Sequence, residues 1–205
     1  MAHVILGLLT IAPQSYYDLL KAFEAGVSLF YSASSGSIKR ALDRLAGDGL
    51  VEVASSGARG RKVYRITDAG RQRFGEWMND EPTGGDLETA ALPRLFFLGL
   101  VEPAERGPIV DRITARAESE LTRLEALEEE LDALEPSDER RALLEYQRVT
   151  LEYGLGSGRH AVEFFATLRQ RMADWPGSEG DRPLDGLGVR TGRAGWRGTD
   201  RGTVR

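Results

Sequence analysis

The chain has 205 residues, 27 Lys and Arg against 32 Asp and Glu for a formal net charge of −5, and no cysteine. It therefore holds no disulfide framework, thiolate metal site or cysteine nucleophile. Its two histidines, His3 and His160, stand too far apart in sequence to suggest a histidine-rich metal centre or a triad. No apolar run reaches the roughly 18 residues of a membrane span. The start MAHVILGLLT lacks a basic n-region and is too short for a signal peptide, so a cytoplasmic protein of one or two domains is expected.

The total charge averages unlike parts. Residues 1–81 carry 10 basic and 9 acidic side chains, residues 82–176 carry 11 and 19, and residues 177–205 carry 6 and 4. Within the first part, 37–73 alone holds 9 basic against 4 acidic residues. A positive field concentrated on one short stretch is what an anionic polymer would meet, whatever the sign of the total.

Taken in chain order, Val4, Ile5, Leu8, Leu9 and Ile11 give an apolar helical face that Pro13 ends. Ser15 is placed to N-cap a second helix with Asp18 in its first turn and Leu19, Leu20 and Phe23 as its core stripe, up to Gly26. A serine-rich loop, 32–35, precedes a third helix with Ile38, Ala41, Leu42 and Leu45 at helical spacing, stopped by Gly47 and Gly49. The runs LVEVA (50–54) and RKVYRI (61–66) alternate around the loop SSGARG (55–60), which predicts a two-stranded hairpin. Thr67 and Asp68 open the next helix, which carries Phe74, Trp77 and Met78 as packing residues.

The stretch EPTGGD (81–86) reads as a linker. Beyond it 87–100 is strongly apolar, with Pro93 starting or kinking a helix, and Pro103 suits the first turn of another. That helix runs to about Glu135, with Val110, Ile113, Ala117, Leu124, Leu127, Leu131 and Leu134 in heptad register and Glu120 as the polar interruption. A seam of this kind packs against another helix, often in a partner subunit. Pro136 breaks the pattern and Ser137 caps a last helix striped by Leu144, Leu151, Leu155, Val162, Phe165 and Met172. The tail from Gly177 holds 8 glycines in 29 residues and reads as disordered.

The fold class expected is mainly α with a small β-hairpin wing. It comprises a winged helix-turn-helix domain at 1–80, a helical dimerisation domain at 87–175 and a Gly/Arg-rich tail at 176–205. In such a fold the third helix enters the major groove of duplex DNA and the wing lies along the backbone. The third helix offers Lys39, Arg40 and Arg44 on the faces that Ile38, Leu42 and Leu45 leave free, with Ser35 and Ser37 at its N-terminus, where hydroxyl and N–H groups accept a phosphate. Ser15 and Tyr17 at the start of the second helix complete that face, and the hairpin loop adds Arg59, Arg61 and Lys62. Each cation also has a plain reading. Asp43 offers Lys39 an i,i+4 partner, whereas the acids near the wing cluster are only Glu52 and Asp68. Dimerisation is assigned to Ile113, Leu124, Leu127, Leu131, Leu134 and Leu151.

Several motifs carry a family resemblance. Ile5-Leu6-Gly7-Leu8-Leu9, Tyr17-Asp18-Leu19, Leu42-Asp43-Arg44-Leu45 and Asp48-Gly49-Leu50-Val51 resemble a PadR-type transcriptional regulator. The most specific match is Gly60 to Gly70, GRKVYRITDAG, which resembles that family's wing strand and following helix. Residues 87–172 resemble the helical C-terminal domain of its larger members, so the likeness spans about 1–175. It implies a homodimeric regulator, usually a repressor, on a palindromic double-stranded operator, often released by a small aromatic or drug-like effector. Two positions depart from the pattern: Tyr16 stands where a Gly is usual, and Lys39 where a Tyr usually helps seat the third helix on the backbone. A lysine there substitutes a charge contact that salt weakens.

Gly154-Leu155-Gly156-Ser157-Gly158 lacks the preceding strand of a dinucleotide loop and is read as a place of close helix approach. The carboxylates at 125–139 are spaced as a solvated helix face, with no His or Cys beside them, so neither enzymatic activity nor a metal or cofactor is expected. Phe96, Phe97, Tyr146, Tyr153, Phe164 and Phe165 are candidates for an effector pocket between the domains, more than half of them expected in plain core. The competing reading is a winged-helix module for protein contacts without specific DNA binding, against which the basic stretch 37–73 argues.

Overall fold

The computed structural model describes residues 1–30, 32–57, 60–135 and 137–175. The first helix, α1 (Ala2–Ile11), is apolar along most of its length and is buried nearly all round, from Val4 to Leu9. It is a central helix rather than a one-faced one, and Ile11, expected in its apolar face, is exposed in the last turn before Pro13. Gly7 is required by a close approach: a Cβ there would meet the Phe97 ring at 2.8 Å.

Helix α2 (Tyr16–Ala25) begins at a full capping box. Ser15 accepts from the Asp18 N–H and Asp18 accepts from the Ser15 N–H. After a short 3₁₀ turn (Val27–Leu29), α3 (Ser35–Gly47) buries Ile38, Leu42 and Leu45. Its C-terminus closes in a Schellman arrangement, with Leu50 N–H donating to Leu45 O at 2.9 Å, Gly49 N–H to Ala46 O at 3.2 Å, and Gly49 at φ 72°.

Strands β2 (Val51–Ser56) and β3 (Lys62–Ile66) pair antiparallel with a bulge between Val53 and Ser55. The expected two-stranded wing gains a third strand, β1 (Gln14–Ser15), which pairs with β3 through Gln14–Tyr64 and Ser15–Val63, giving the order β1-β3-β2. Two residues are too few for alternation to show, so this strand has no signature of its own. Tyr64 is buried, as its place in the alternation predicts. Thr67 caps α4 (Asp68–Asn79), which packs Phe74 and Met78 inward.

Helix α5 (Leu87–Phe96) accommodates Pro93, and a 3₁₀ turn (Leu98–Leu100) leads to α6 (Pro103–Asp132) and α7 (Asp138–Arg171), a long antiparallel pair. One buried cluster runs from α1 through Phe74 and Phe97 to Ile109, Ile113 and Phe165, so the residues on both sides of 81–86 share a core. Segment 81–86 is itself pinned. The Arg116 guanidinium donates to the carbonyls of Pro82, Gly84 (3.2 Å) and Gly85 (2.8 Å) while its Nε holds Glu120 at 2.8 Å.

The α6–α7 seam uses glycine as read: a Cβ at Gly158 would lie 3.2 Å from Leu121 and one at Gly154 3.5 Å from Leu124, whereas Gly156 faces open space. The partner of α6 is thus α7 of the same chain. That corrects part of the dimerisation set, because Ile113 is fully buried in the chain's own core and Leu151 is buried against α6, so neither has surface to offer a second subunit. Leu124 and Leu131 are half-buried, and Leu127 and Leu134 remain exposed. The apolar surface left over lies on α7, where Leu143, Tyr146, Val149, Tyr153 and Phe164 are all exposed on the side turned from Leu144, Leu151 and Leu155. Phe97 and Phe165 are core, and Tyr146 and Tyr153 point to the outer face of α7, so the aromatic candidates do not converge on one pocket. Among the described residues no helix is long and apolar enough to cross a membrane, and no group of His, Cys, Asp and Glu could hold a metal ion. Residues 176–205, read from the sequence as a disordered tail, lie outside the described residues.

Candidate nucleic-acid interface

Helix α3 presents its polar face because its apolar residues are spent on the core. Lys39, Arg40 and Arg44 are exposed around the buried Ile38, Leu42 and Leu45. The N-cap is Ser34, which sequence reasoning did not single out among neighbouring serines. Its Oγ accepts from the Ser37 N–H at 3.2 Å, and the Ser37 hydroxyl donates back to the Ser34 carbonyl at 2.7 Å. Ser37 is therefore half-buried and engaged in the cap, whereas Ser35 is exposed, and its carbonyl accepts from the Tyr16 hydroxyl at 2.8 Å. That bond ties α2 to the first turn of α3 at one of the two positions that depart from the family pattern.

Three carboxylates face the cations. Lys39 pairs with Asp43, as the i,i+4 spacing predicts, and the hydrogen bond it donates to the Asp43 carboxylate raises the lysine above its ordinary value. Arg65 pairs with Glu52 across β2 and β3 at 2.6 Å. Arg61 pairs with Asp18 on α2 at 3.0 Å, a partner 43 positions away that no local pattern reveals. Arg40, Arg44 and Lys62 form no ion pair among the described residues, and Arg59 lies outside them.

Ser15, Tyr16, Tyr17, Lys39, Gly60, Arg61, Lys62 and Tyr64 line a hollow of about 570 Å³ between the start of α2, α3 and the base of the wing. The structure thus brings Tyr17, Lys39, Arg61 and Lys62 together and leaves Arg40 and Arg44 along the outer side of α3. Tyr17 is exposed, with the Lys21 ammonium 4.7 Å above its ring. Ser15 is a correction. It is only 2 % exposed and its hydroxyl donates to Asp18 at 2.6 Å, so it caps α2 and has no free group for a phosphate.

Three helices followed by a wing, with cations on the third helix and on the wing opening onto one hollow, define a winged helix-turn-helix protein of the kind that docks on duplex DNA. The family model described as the transcriptional regulator PadR-like family matches residues 5–76. It is a family of transcriptional regulators, not of enzymes. The negative transcriptional regulator PadR of Bacillus subtilis (strain 168) is 23 % identical over 137 residues, 65 % of this chain and 75 % of that protein. Crystal structures of Bacillus subtilis PadR in complex with operator DNA and with p-coumaric acid are also similar. The first has a TM-score of 0.38, 20 % identity, and coverage of 83 % of this chain and 98 % of that one. The second has a TM-score of 0.37, 22 % identity, and coverage of 84 % and 94 %.

Proposed function

We propose that this chain is a homodimeric repressor that binds a palindromic operator through α3 and the wing and leaves it when a small, aromatic effector binds. The observation that carries the DNA reading is the shared hollow, which sets Lys39 of α3 beside Arg61 and Lys62 of the wing, with Arg40 and Arg44, which form no ion pair among the described residues, also exposed on α3. Tyr17 and Ser35 complete the contact set, Ser37 contributes through the N-terminal turn it shapes, and Arg59, which lies outside the described residues, is kept as a contact on its sequence alone. Arg and Lys in these places address phosphates, while residues of α3 facing the groove floor read bases. Dimerisation, on this reading, uses the outer face of α7 together with Leu127 of α6 and Leu134 just past its end. The effector rests on the resemblance to PadR-type regulators, since the aromatic residues do not build a common pocket.

Gel-shift titration on fragments of the gene's own upstream region tests the DNA reading. Salt-sensitive binding to a palindrome with half-sites about 34 Å apart, or a multiple of it, is expected. Replacing Arg40 and Arg44 together by Ala should lower the slope of log affinity against log salt by about 1.8, at about 0.9 per phosphate. A protein that binds no fragment at low salt is instead a protein-contact module.

A further inference from the structure

Arg61 belongs to the wing, yet its guanidinium turns away from the neighbouring acids, Glu52 and Asp68, and docks on α2. Its Nη2 donates to Asp18 Oδ2 at 3.0 Å and lies 3.4 Å from Ser15 Oγ. The same carboxylate oxygen already receives the Ser15 N–H at 3.0 Å and the Ser15 hydroxyl at 2.6 Å. Asp18 is thereby fixed by the cap of its own helix and cannot follow Arg61, whereas the Arg61 side chain is 62 % exposed at the edge of the hollow that Tyr17, Lys39 and Lys62 also line. Partial burial pushes the Asp18 carboxyl up, but the hydrogen bonds from the Ser15 side chain and backbone, with Arg61 beside it, outweigh that and hold it below its ordinary value. The carboxylate stays charged at neutral pH and keeps its hold on the arginine.

We propose that Asp18 is a positioning residue for the wing, parking Arg61 against the cap of α2 in the free protein and yielding it to a DNA phosphate on binding. An exposed ion pair in water is weakly held. A phosphate offers a guanidinium a two-pronged, charge-assisted site. When the exchange occurs, Asp18 keeps the two Ser15 donors and attracts a solvent cation in place of Arg61. The cation freed from the phosphate is then offset by the one taken up at Asp18. Arg61 therefore orients the wing while adding little to the salt dependence, and the wing responds to salt as though it had one cation fewer than its sequence shows.

The proposal rests on the DNA-binding reading, and the test separates the two. Wild type, Asp18→Asn, Asp18→Glu, Arg61→Gln and the Asp18→Asn/Arg61→Gln pair are titrated on random-sequence duplex DNA over a series of salt concentrations. Asparagine retains an acceptor for the Ser15 N–H, and far-UV dichroism confirms that each variant is folded. Should Asp18→Asn lose the fold, Asp18→Glu against Arg61→Gln carries the comparison, with the wild-type slope kept in the first and in the second. Asp18→Asn should bind more tightly at low salt and steepen the salt slope by about 0.9, one uncompensated phosphate contact. Asp18→Glu should restore the wild-type slope, and in the Arg61→Gln background Asp18→Asn should leave the slope where it was. An unchanged slope in Asp18→Asn, or the same steepening with and without Arg61, overturns the proposal. A wild type that does not bind duplex at all overturns the DNA-binding reading and the proposal with it.

Discussion

At His3, surroundings rather than residue type decide the charge. The ring stacks on Trp77 with centroids 4.9 Å apart, and the Arg94 guanidinium lies 4.6 Å from the Trp77 ring centre. Burial first, and then the positive charges of the amino terminus, Arg73 and Arg94, lower the imidazole from 6.5 to about 4. Above pH 6.5 the ring is neutral in both folded and unfolded chains, so its contribution to stability is intact. As the pH falls from 6.5 towards 4 the unfolded chain takes up a proton that the folded one refuses, and stability declines until the folded ring titrates as well. The melting temperature should therefore fall across that window by more in the wild type than in His3→Phe, which keeps the ring stack and does not titrate. Parallel curves for the two proteins would refute the assignment. None of this environment is legible in the sequence, where His3 is only a polar residue in an apolar run. The Lys39–Asp43 pair is legible because helix periodicity brings i and i+4 together, whereas Arg61–Asp18 depends on β1, β3 and α2 meeting in space.

The elements follow from their sequence signals wherever a stop, a cap and a period agree. Ser15, Thr67 and Pro103 mark helix starts as read, and Gly49 closes α3 with the left-handed residue a Schellman end requires. The start of α3 is less determinate, because any of several consecutive serines has the chemistry of an N-cap, and only the path of the chain after α2 selects Ser34. Ser34→Ala should accordingly cost about 1 kcal/mol in denaturant unfolding, and Ser35→Ala, whose side chain makes no hydrogen bond to the cap, only a few tenths. Equal losses from both would place the cap elsewhere. The heptad seam of α6 shows the opposite limit of sequence reading. Apolar spacing states that a helix has a partner, but not whether the partner belongs to the same chain. Here the glycines at 154 and 158 settle it by admitting Leu124 and Leu121 against α7.

At the scale of the whole molecule, the long helical pair leaves one apolar surface uncovered. Tyr146 and Tyr153 are 75 % and 80 % exposed and seven positions apart on α7, with Leu143 and Val149 beside them and Phe164 further along. Leu127 on α6 and Leu134, just past the end of that helix, are exposed as well. Large aromatic side chains left in water on one face of a helix mark an interaction surface, and a second copy of the chain would bury them and give α7 a second seam. Tyr146→Glu with Tyr153→Glu should therefore yield monomers in sedimentation while the far-UV spectrum stays that of the wild type, because the side chains lie outside the fold of one chain. Ile113→Glu should instead unfold the protein, since it places a charge in the buried cluster shared by α1, α6 and α7. Leu124→Glu with Leu131→Glu should loosen the α6–α7 pair before it affects association, because both residues are half-buried within the chain. If the tyrosine double variant still sediments as a dimer, the outer face of α7 is not the dimer surface, and the exposed Leu127 and Leu134 become the surface to test.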